Sequence, residues 1–187
     1  MILYVNACVR EESRTKRLAD HLISKLSGTV REVRLSEVNF PEVDADFLQW
    51  RNDCVAKGDY SSELFDPAKD FAAADTIVIA APFWDLSFPS ILKQYFEQIT
   101  VLGITFVYSK EGKPQGLCHA KKLYYVTTAG GVIRSEEYSY GYVKALAQNF
   151  YGIRDTAMFK AEGLDLVGAD VEGKLEEAMK SLTNIDL

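Results

Sequence analysis

Thr76-Ile77-Val78-Ile79-Ala80-Ala81-Pro82-Phe83-Trp84-Asp85 decides the fold. From Ile77 to Ala81 the chain is apolar on both faces of an extended backbone. That pattern belongs to a central parallel strand covered by helices on either side. Pro82 then ends the strand, and two large aromatics and a carboxylate follow in a loop. Seven residues after Pro82, Pro89 is expected to open a helix at the position where a missing N–H costs nothing. The stripe Ile91, Leu92, Tyr95, Phe96 and Ile99 would be its buried face.

Outward from this strand, short apolar runs alternate with helical periods, the signature of a parallel sheet with crossover helices. Strand one is expected at Ile2 to Asn6 and strand two at Val30 to Leu35, the latter alternating as a partly exposed edge. Between them a helix starts near Ser13, carries Leu18, Leu22 and Leu26 on one stripe, and is closed by Gly28. From Asn39 to Asp75 the pattern is weakest; Phe47 to Val55 and Leu64 to Ala74 suggest two helices around a Gly58-Asp59-Tyr60-Ser61 turn. Downstream come strand four (Leu123 to Thr128), a helix from Tyr140 to Phe150, strand five (Asp155 to Lys160) and an amphipathic helix carrying Val171, Leu175, Ala178, Met179 and Leu182. With right-handed crossovers this is a doubly wound α/β domain over residues 1–187, a five-stranded parallel sheet of order 2-1-3-4-5. Residues 103–117 interrupt the alternation, after the helix that follows strand three, as a hairpin-like insertion with a turn-rich tip.

A length of 187 residues suits one domain with a full core. Hydrophobic residues at 48% and charged residues at 26% are ordinary for a globular protein. No window approaches the roughly 18–20 apolar residues of a membrane span, and the Met1 to Val5 run reads as a strand rather than a leader. A net charge of -6 argues against a nucleic-acid footprint. Cys8, Cys54 and Cys118 form no CxxC pair and no ligand cluster with His21 or His119, which points to a reducing cytoplasm and to no metal.

In such a sheet, ligands bind outside the carboxyl ends of the strands, near the switch point. Three loops converge there. Ser13-Arg14-Thr15 leads into a helix N-terminus, where unpaired N–H groups and the helix dipole suit a phosphate; Ser13 equally reads as a plain N-cap. The loop lacks glycines, so it is neither a dinucleotide fingerprint nor a P-loop. Phe83 and Trp84 suit a flat aromatic ligand, or else are core under a loop. Asp85 is costly in a crevice unless solvated or hydrogen-bonded. Thr127-Thr128-Ala129-Gly130-Gly131 offers hydroxyls and close backbone approach, or is a simple tight turn.

Together these stretches resemble the FMN-dependent NAD(P)H azoreductases and quinone reductases of the flavodoxin-like superfamily. The resemblance rests on Ser13-x-Thr15, on Ala81 through Phe96, on Gly103-Ile104-Thr105-Phe106-x-Tyr108, Gly116-Leu117 and Lys121-Lys122, on Thr128-x-Gly130-Gly131 and on Gly163-Leu164. It implies a flavodoxin-like three-layer sandwich and a two-step, ping-pong transfer of electrons from NADH or NADPH, through FMN, to quinone or azo acceptors. By position, Ser13, Arg14 and Thr15 would bind the phosphate. Pro82, Phe83, Trp84, Asp85 and Leu86 would line the isoalloxazine, and Thr128, Gly130 and Gly131 its pyrimidine edge. Phe106 and Tyr108 would border the substrate site of the partner subunit in a homodimer. No catalytic side chain is implied. Asp85 stands where such relatives commonly have Asn, Ala7 where they often have Ser, and Ala129 where many have a polar residue. Two other readings stay open: a flavodoxin-like electron carrier, against which the glycine-free loop and moderate acidity count, and a flavin-free binding domain.

Overall fold

In the computed structural model, which describes residues 1–182, β1 (Ile2–Asn6) is buried along its whole length between two parallel neighbours. It pairs with β2 (Val30–Arg34) and with β3 (Thr76–Ala80), Ile2 lying opposite both Val30 and Thr76. β3 pairs in turn with β6 (Lys122–Thr128), and β6 with β7 (Asp155–Ala161), all parallel. The sheet order β2-β1-β3-β6-β7 is the expected 2-1-3-4-5 when the five long strands alone are counted.

Because side chains alternate across a strand, each strand feeds two cores. Tyr4, Val78, Tyr124 and Val126 face α1 (Arg14–Ile23) and α6 (Val171–Ser181), where Leu18, Leu22 and Leu175 cover them. Leu3, Val5, Ile77, Ile79 and Tyr125 face the other way. There, Phe71 of α3 (Asp66–Ala73), Leu92, Tyr95 and Phe96 of α4 (Ser90–Ile99) and Val143 of α5 (Tyr140–Leu146) close the third layer. Phe71 meets the Tyr151 ring edge-on at 4.9 Å.

Several boundaries differ from expectation, each for a local reason. α1 stops at Ile23, where Ser24 caps it, so Gly28 lies beyond the helix in the turn to β2. Pro89 takes the N-cap rather than the first helical position of α4. β2 ends at Arg34, because buried Leu35 turns into a short 3-10 segment (Leu35–Glu37). The helix begun by α5 runs one residue past Phe150 as a π segment, Ala147–Tyr151. The indistinct stretch folds as α2 (Ala45–Lys57), a 3-10 turn (Glu63–Phe65) and α3. α2 buries no residue fully, and it is held by Trp50 stacked on Phe65 at 5.5 Å.

β4 (Phe106–Tyr108) and β5 (Pro114–Gly116) form an antiparallel pair apart from the main sheet. Its root is set by Thr105, whose buried Oγ1 accepts from the Val101 N–H at 3.0 Å and donates to the Ile99 carbonyl at 2.8 Å. Its far strand lies on the π segment so closely that a Cβ on Gly116 would stand 2.1 Å from the Gly152 nitrogen. No helix among the described residues is long and apolar enough to cross a membrane.

Candidate functional site

The loops that leave β1, β3 and β6 enclose one cavity of about 330 Å³ at the carboxyl edge of the sheet. Ser13, Arg14 and Thr15 come to it from the first loop, Pro82, Phe83 and Trp84 from the second, and Thr128 and Gly130 from the third.

The first loop is aimed by Asn6, whose buried Oδ1 accepts the Cys8 N–H at 2.9 Å while its Nδ2 donates to Glu32 at 2.9 Å. Burial pushes the Glu32 carboxyl upward, but hydrogen bonds from Asn6 and Arg34 outweigh it and hold the group below its ordinary range. Ser13 is the N-cap of α1, its Oγ accepting the Lys16 N–H at 3.3 Å. Both readings of Ser13 are therefore met at once: it caps, and it lines the cavity. The N–H groups of Arg14 and Thr15, in that first turn, have no intrahelical acceptor to reach, and they carry the positive end of the helix dipole. Thr15 Oγ1 lies 2.6 Å from Thr128 Oγ1, both buried. One hydroxyl proton makes that bond, leaving the other for whatever enters the cavity.

The second loop is fixed by the Phe83 N–H, which bonds the Thr128 carbonyl at 3.0 Å. A tight turn follows, closed by reciprocal bonds between Trp84 and Ser87 at 3.0 and 2.7 Å. Its two central residues, Asp85 and Leu86, have φ of 50° and 68°, left-handed values for non-glycine residues. Trp84 is left 37% exposed over the cavity. Asp85 points to solvent, so the desolvation cost expected for it does not arise. Neither Asp85 nor Leu86 is part of the cavity lining.

The third loop is bound to the chain after β7. Ala129 N–H bonds Ala161, Asp165 N–H bonds Gly130, and Gly163 N–H bonds Gly131, at 3.0, 2.9 and 2.8 Å. This clasp carries Asp165 to the cavity, where its Oδ1 accepts from the Arg14 guanidinium at 2.8 Å. Gly130 makes room for Asp165 rather than for a ligand alone: a Cβ there would stand 2.2 Å from Asp165 Oδ2. Gly131 lies outside the lining.

Phe106 and Tyr108 are not brought to this cavity. Phe106 is buried against Phe150 at 5.1 Å, and Tyr108 is 54% exposed on the hairpin. Sequence reasoning misses Arg10, Glu12 and Asp165, all of which line the cavity. The available signal was charge within the first loop and a carboxylate directly after Gly163-Leu164.

Burial pushes the Cys8 thiol, at the root of the first loop, up to about 11, so it is no nucleophile at neutral pH. Among the described residues no group of His, Cys, Asp or Glu is arranged to hold a metal ion. Beside the Trp84–Ser87 turn lies an apolar groove of about 580 Å³, walled by Phe88, Tyr138 and Tyr142. The Ser87 Oγ donates to the Tyr138 carbonyl at 2.5 Å, joining turn and groove.

A family model described as flavodoxin-like fold matches residues 1–185. The FMN-dependent NADH:quinone oxidoreductase of Lachnoclostridium phytofermentans is 38% identical, over 94% of this chain and 92% of that protein. The protein of the same name from Coprothermobacter proteolyticus is 35% identical over 96% and 94%. Among solved structures, the azoreductase of Bacillus anthracis superposes with a TM-score of 0.80 at 25% identity, covering 98% of this chain and 99% of that one.

Proposed function

The chain belongs to the flavodoxin-like family of FMN-dependent NADH:quinone oxidoreductases, and on that premise we propose that its 330 Å³ cavity seats FMN and serves electron transfer from NADH to quinone or azo acceptors. The observation that carries this reading is the convergence of a helix N-terminus, an exposed aromatic and a Thr/Gly turn on one cavity at the sheet's carboxyl edge.

The residues present fit the group. The Arg14 and Thr15 N–H groups, the Ser13 hydroxyl and the free proton of the Thr15–Thr128 pair would hold the phosphate. Pro82, Phe83 and Trp84 would lie against the ring system, with Asp85 and Leu86 in the turn beside it and Thr128, Gly130 and Gly131 at its polar edge. When bound, FMN supplies the chemistry, accepting a hydride equivalent and passing it on. The chain's own task is to bind, orient and polarise; the cavity holds no side chain poised as nucleophile or general base, and Cys8 stays protonated. Donor and acceptor would occupy the same open face in turn, a two-step cycle, with NADPH a possible substitute for NADH as donor.

The single domain would act as a homodimer. Exposed Leu86, Val132 and Tyr138, with the apolar groove beside the turn, support a partner subunit there. The hairpin with Phe106 and Tyr108 would then border the partner's substrate site. Three free cysteines support a reducing, cytoplasmic setting.

The test is spectroscopic, then kinetic. The purified chain is mixed with FMN, desalted and scanned in the visible, and NADH oxidation is followed with a soluble quinone. Yellow protein that oxidises NADH only when quinone is supplied supports the reading. Colourless protein overturns it in favour of a flavin-free domain. Bound FMN without NADH oxidation overturns it in favour of an electron carrier.

A further inference from the structure

Two arginines and two carboxylates line the cavity: Arg10, Arg14, Glu12 and Asp165. The charges cancel, which is an odd surrounding for a site that is to hold a phosphate. Their pairing explains it. Arg14 is the first residue of α1, and its guanidinium reaches the chain after β7, donating to the Leu164 carbonyl at 3.4 Å and to Asp165 Oδ1 at 2.8 Å. Arg10 makes no ion pair among the described residues.

Asp165 is not there by accident of a mobile side chain. Its N–H is bound to the Gly130 carbonyl at 2.9 Å, and its carboxylate occupies the space that a side chain at Gly130 would take. The clasp between the third loop and the chain after β7 thus presents an anion to the helix start where the cofactor's own anion is to dock.

We infer that Asp165 is an internal competitor for Arg14, a specificity residue that tempers the grip of the phosphate seat on FMN. The inference rests on the proposed function, since it requires that the ligand's phosphate meet Arg14. A phosphate dianion recruits Arg14 only by sharing or displacing the carboxylate, and it must also tolerate that carboxylate nearby. Affinity is thereby lowered for phosphorylated flavin and left alone for a flavin without phosphate. Arg10 remains the cation that binding need not release from a partner.

The pair is 31% and 65% exposed, so its worth is that of a surface ion pair. Removing the competing charge is expected to tighten FMN binding roughly two- to fivefold. Asp165→Asn is the variant of choice, because an amide oxygen still accepts from Arg14 while the charge is gone; Asp165→Ser is the second variant should the amide disturb the clasp. Dissociation constants for FMN and for riboflavin are measured by flavin fluorescence quenching, in the wild-type and in the Arg14→Gln background. The inference predicts tighter FMN, unchanged riboflavin, and loss of the effect when Arg14 is absent. Weaker or unchanged FMN binding, an equal change for riboflavin, or an effect that persists without Arg14 would overturn it. Failure of the unaltered chain to bind FMN at all sinks the proposed function and this inference together, whereas the other adverse outcomes leave the proposed function standing.

Discussion

The hydroxyl oxygens of Thr15 and Thr128 lie 2.6 Å apart, joining the first turn of α1 to the last residue of β6 inside the cavity wall. Thr15 is 1% exposed and Thr128 9%, so neither hydroxyl has ready access to water if its partner is lost. Thr128→Val orphans Thr15 and is expected to cost about 1–3 kcal/mol. Thr15→Val acts alike on Thr128. The double variant replaces both partners by apolar groups of the same shape, so its cost falls below the sum of the singles. Urea unfolding measures all three, and each is expected to weaken FMN binding.

The turn at Asp85 and Leu86 holds two non-glycine residues at positive φ, a conformation that costs roughly 1 kcal/mol per ordinary side chain. Leu86 gets little back from packing, being 62% exposed. Leu86→Asn keeps a residue type that tolerates this region and is expected to stabilise the chain by about 0.5–1 kcal/mol. A thermal melt would show a rise of roughly 1–4 °C; a fall would mean that Leu86 is covered in the working assembly.

Asp85→Asn is the cleaner probe of charge, because Asn tolerates the left-handed conformation as Asp does. The carboxylate is exposed, so its field is screened by water and contributes under about 1 kcal/mol at contact range. Reduction adds negative charge to the flavin, and loss of a nearby negative charge therefore raises the midpoint potential. On the scale of a two-electron couple the rise is on the order of 10–20 mV. An unchanged potential in a redox titration of the FMN-loaded variant removes any electronic role for Asp85.

The sheet was legible because β1 and β3 are buried on both faces, which leaves uninterrupted apolar runs. α2 was not, because it buries no residue fully and so carries no clean stripe. The stop of α1 was misplaced for a related reason: Leu26 continues the apolar period after the backbone has already turned at Ser24. At the site, Ser13, Thr15 and Thr128 could each be picked out by residue type and loop position. The bond between Thr15 and Thr128, 113 residues apart, could not, nor could the pairing of Arg14 with Asp165. Such contacts depend on register and crossover geometry, to which no local pattern testifies. Asp85 shows the same limit. Residue type flagged a costly carboxylate, and only the turn geometry shows it facing water.

Two glycines separate backbone crowding from side-chain crowding. A Cβ on Gly116 would fall 2.1 Å from the Gly152 nitrogen and the Tyr151 carbonyl carbon, atoms that cannot step aside. Gly116→Ala is expected to lift the hairpin from the π segment at a cost above about 3 kcal/mol. A Cβ on Gly130 meets the Asp165 side chain instead, which is exposed and can swing away. Gly130→Ala is therefore expected to cost under about 1 kcal/mol while breaking the Arg14–Asp165 pair. Equal unfolding midpoints in urea for the two variants would contradict this ordering.

Burial raises the Cys8 thiol from an ordinary value of 9.0 to about 11. The folded chain therefore keeps this proton where the unfolded chain has lost it. Its contribution is fully present below about pH 9 and is lost as pH rises through about 11. Each unit of the interval removes about 1.4 kcal/mol, so the loss attributable to Cys8 is on the order of 2 kcal/mol. Cys118, pushed up to about 12 by burial, and the buried tyrosines Tyr95, Tyr125 and Tyr151 act in the same direction. Alkaline weakening alone thus identifies no single group. Unfolding in urea at pH 8.5 and 11 for the wild type and for Cys8→Ala isolates the thiol: the variant is expected to lose less stability between the two pH values. An identical loss would place the Cys8 sulfur in contact with water, and with it the root of the first loop.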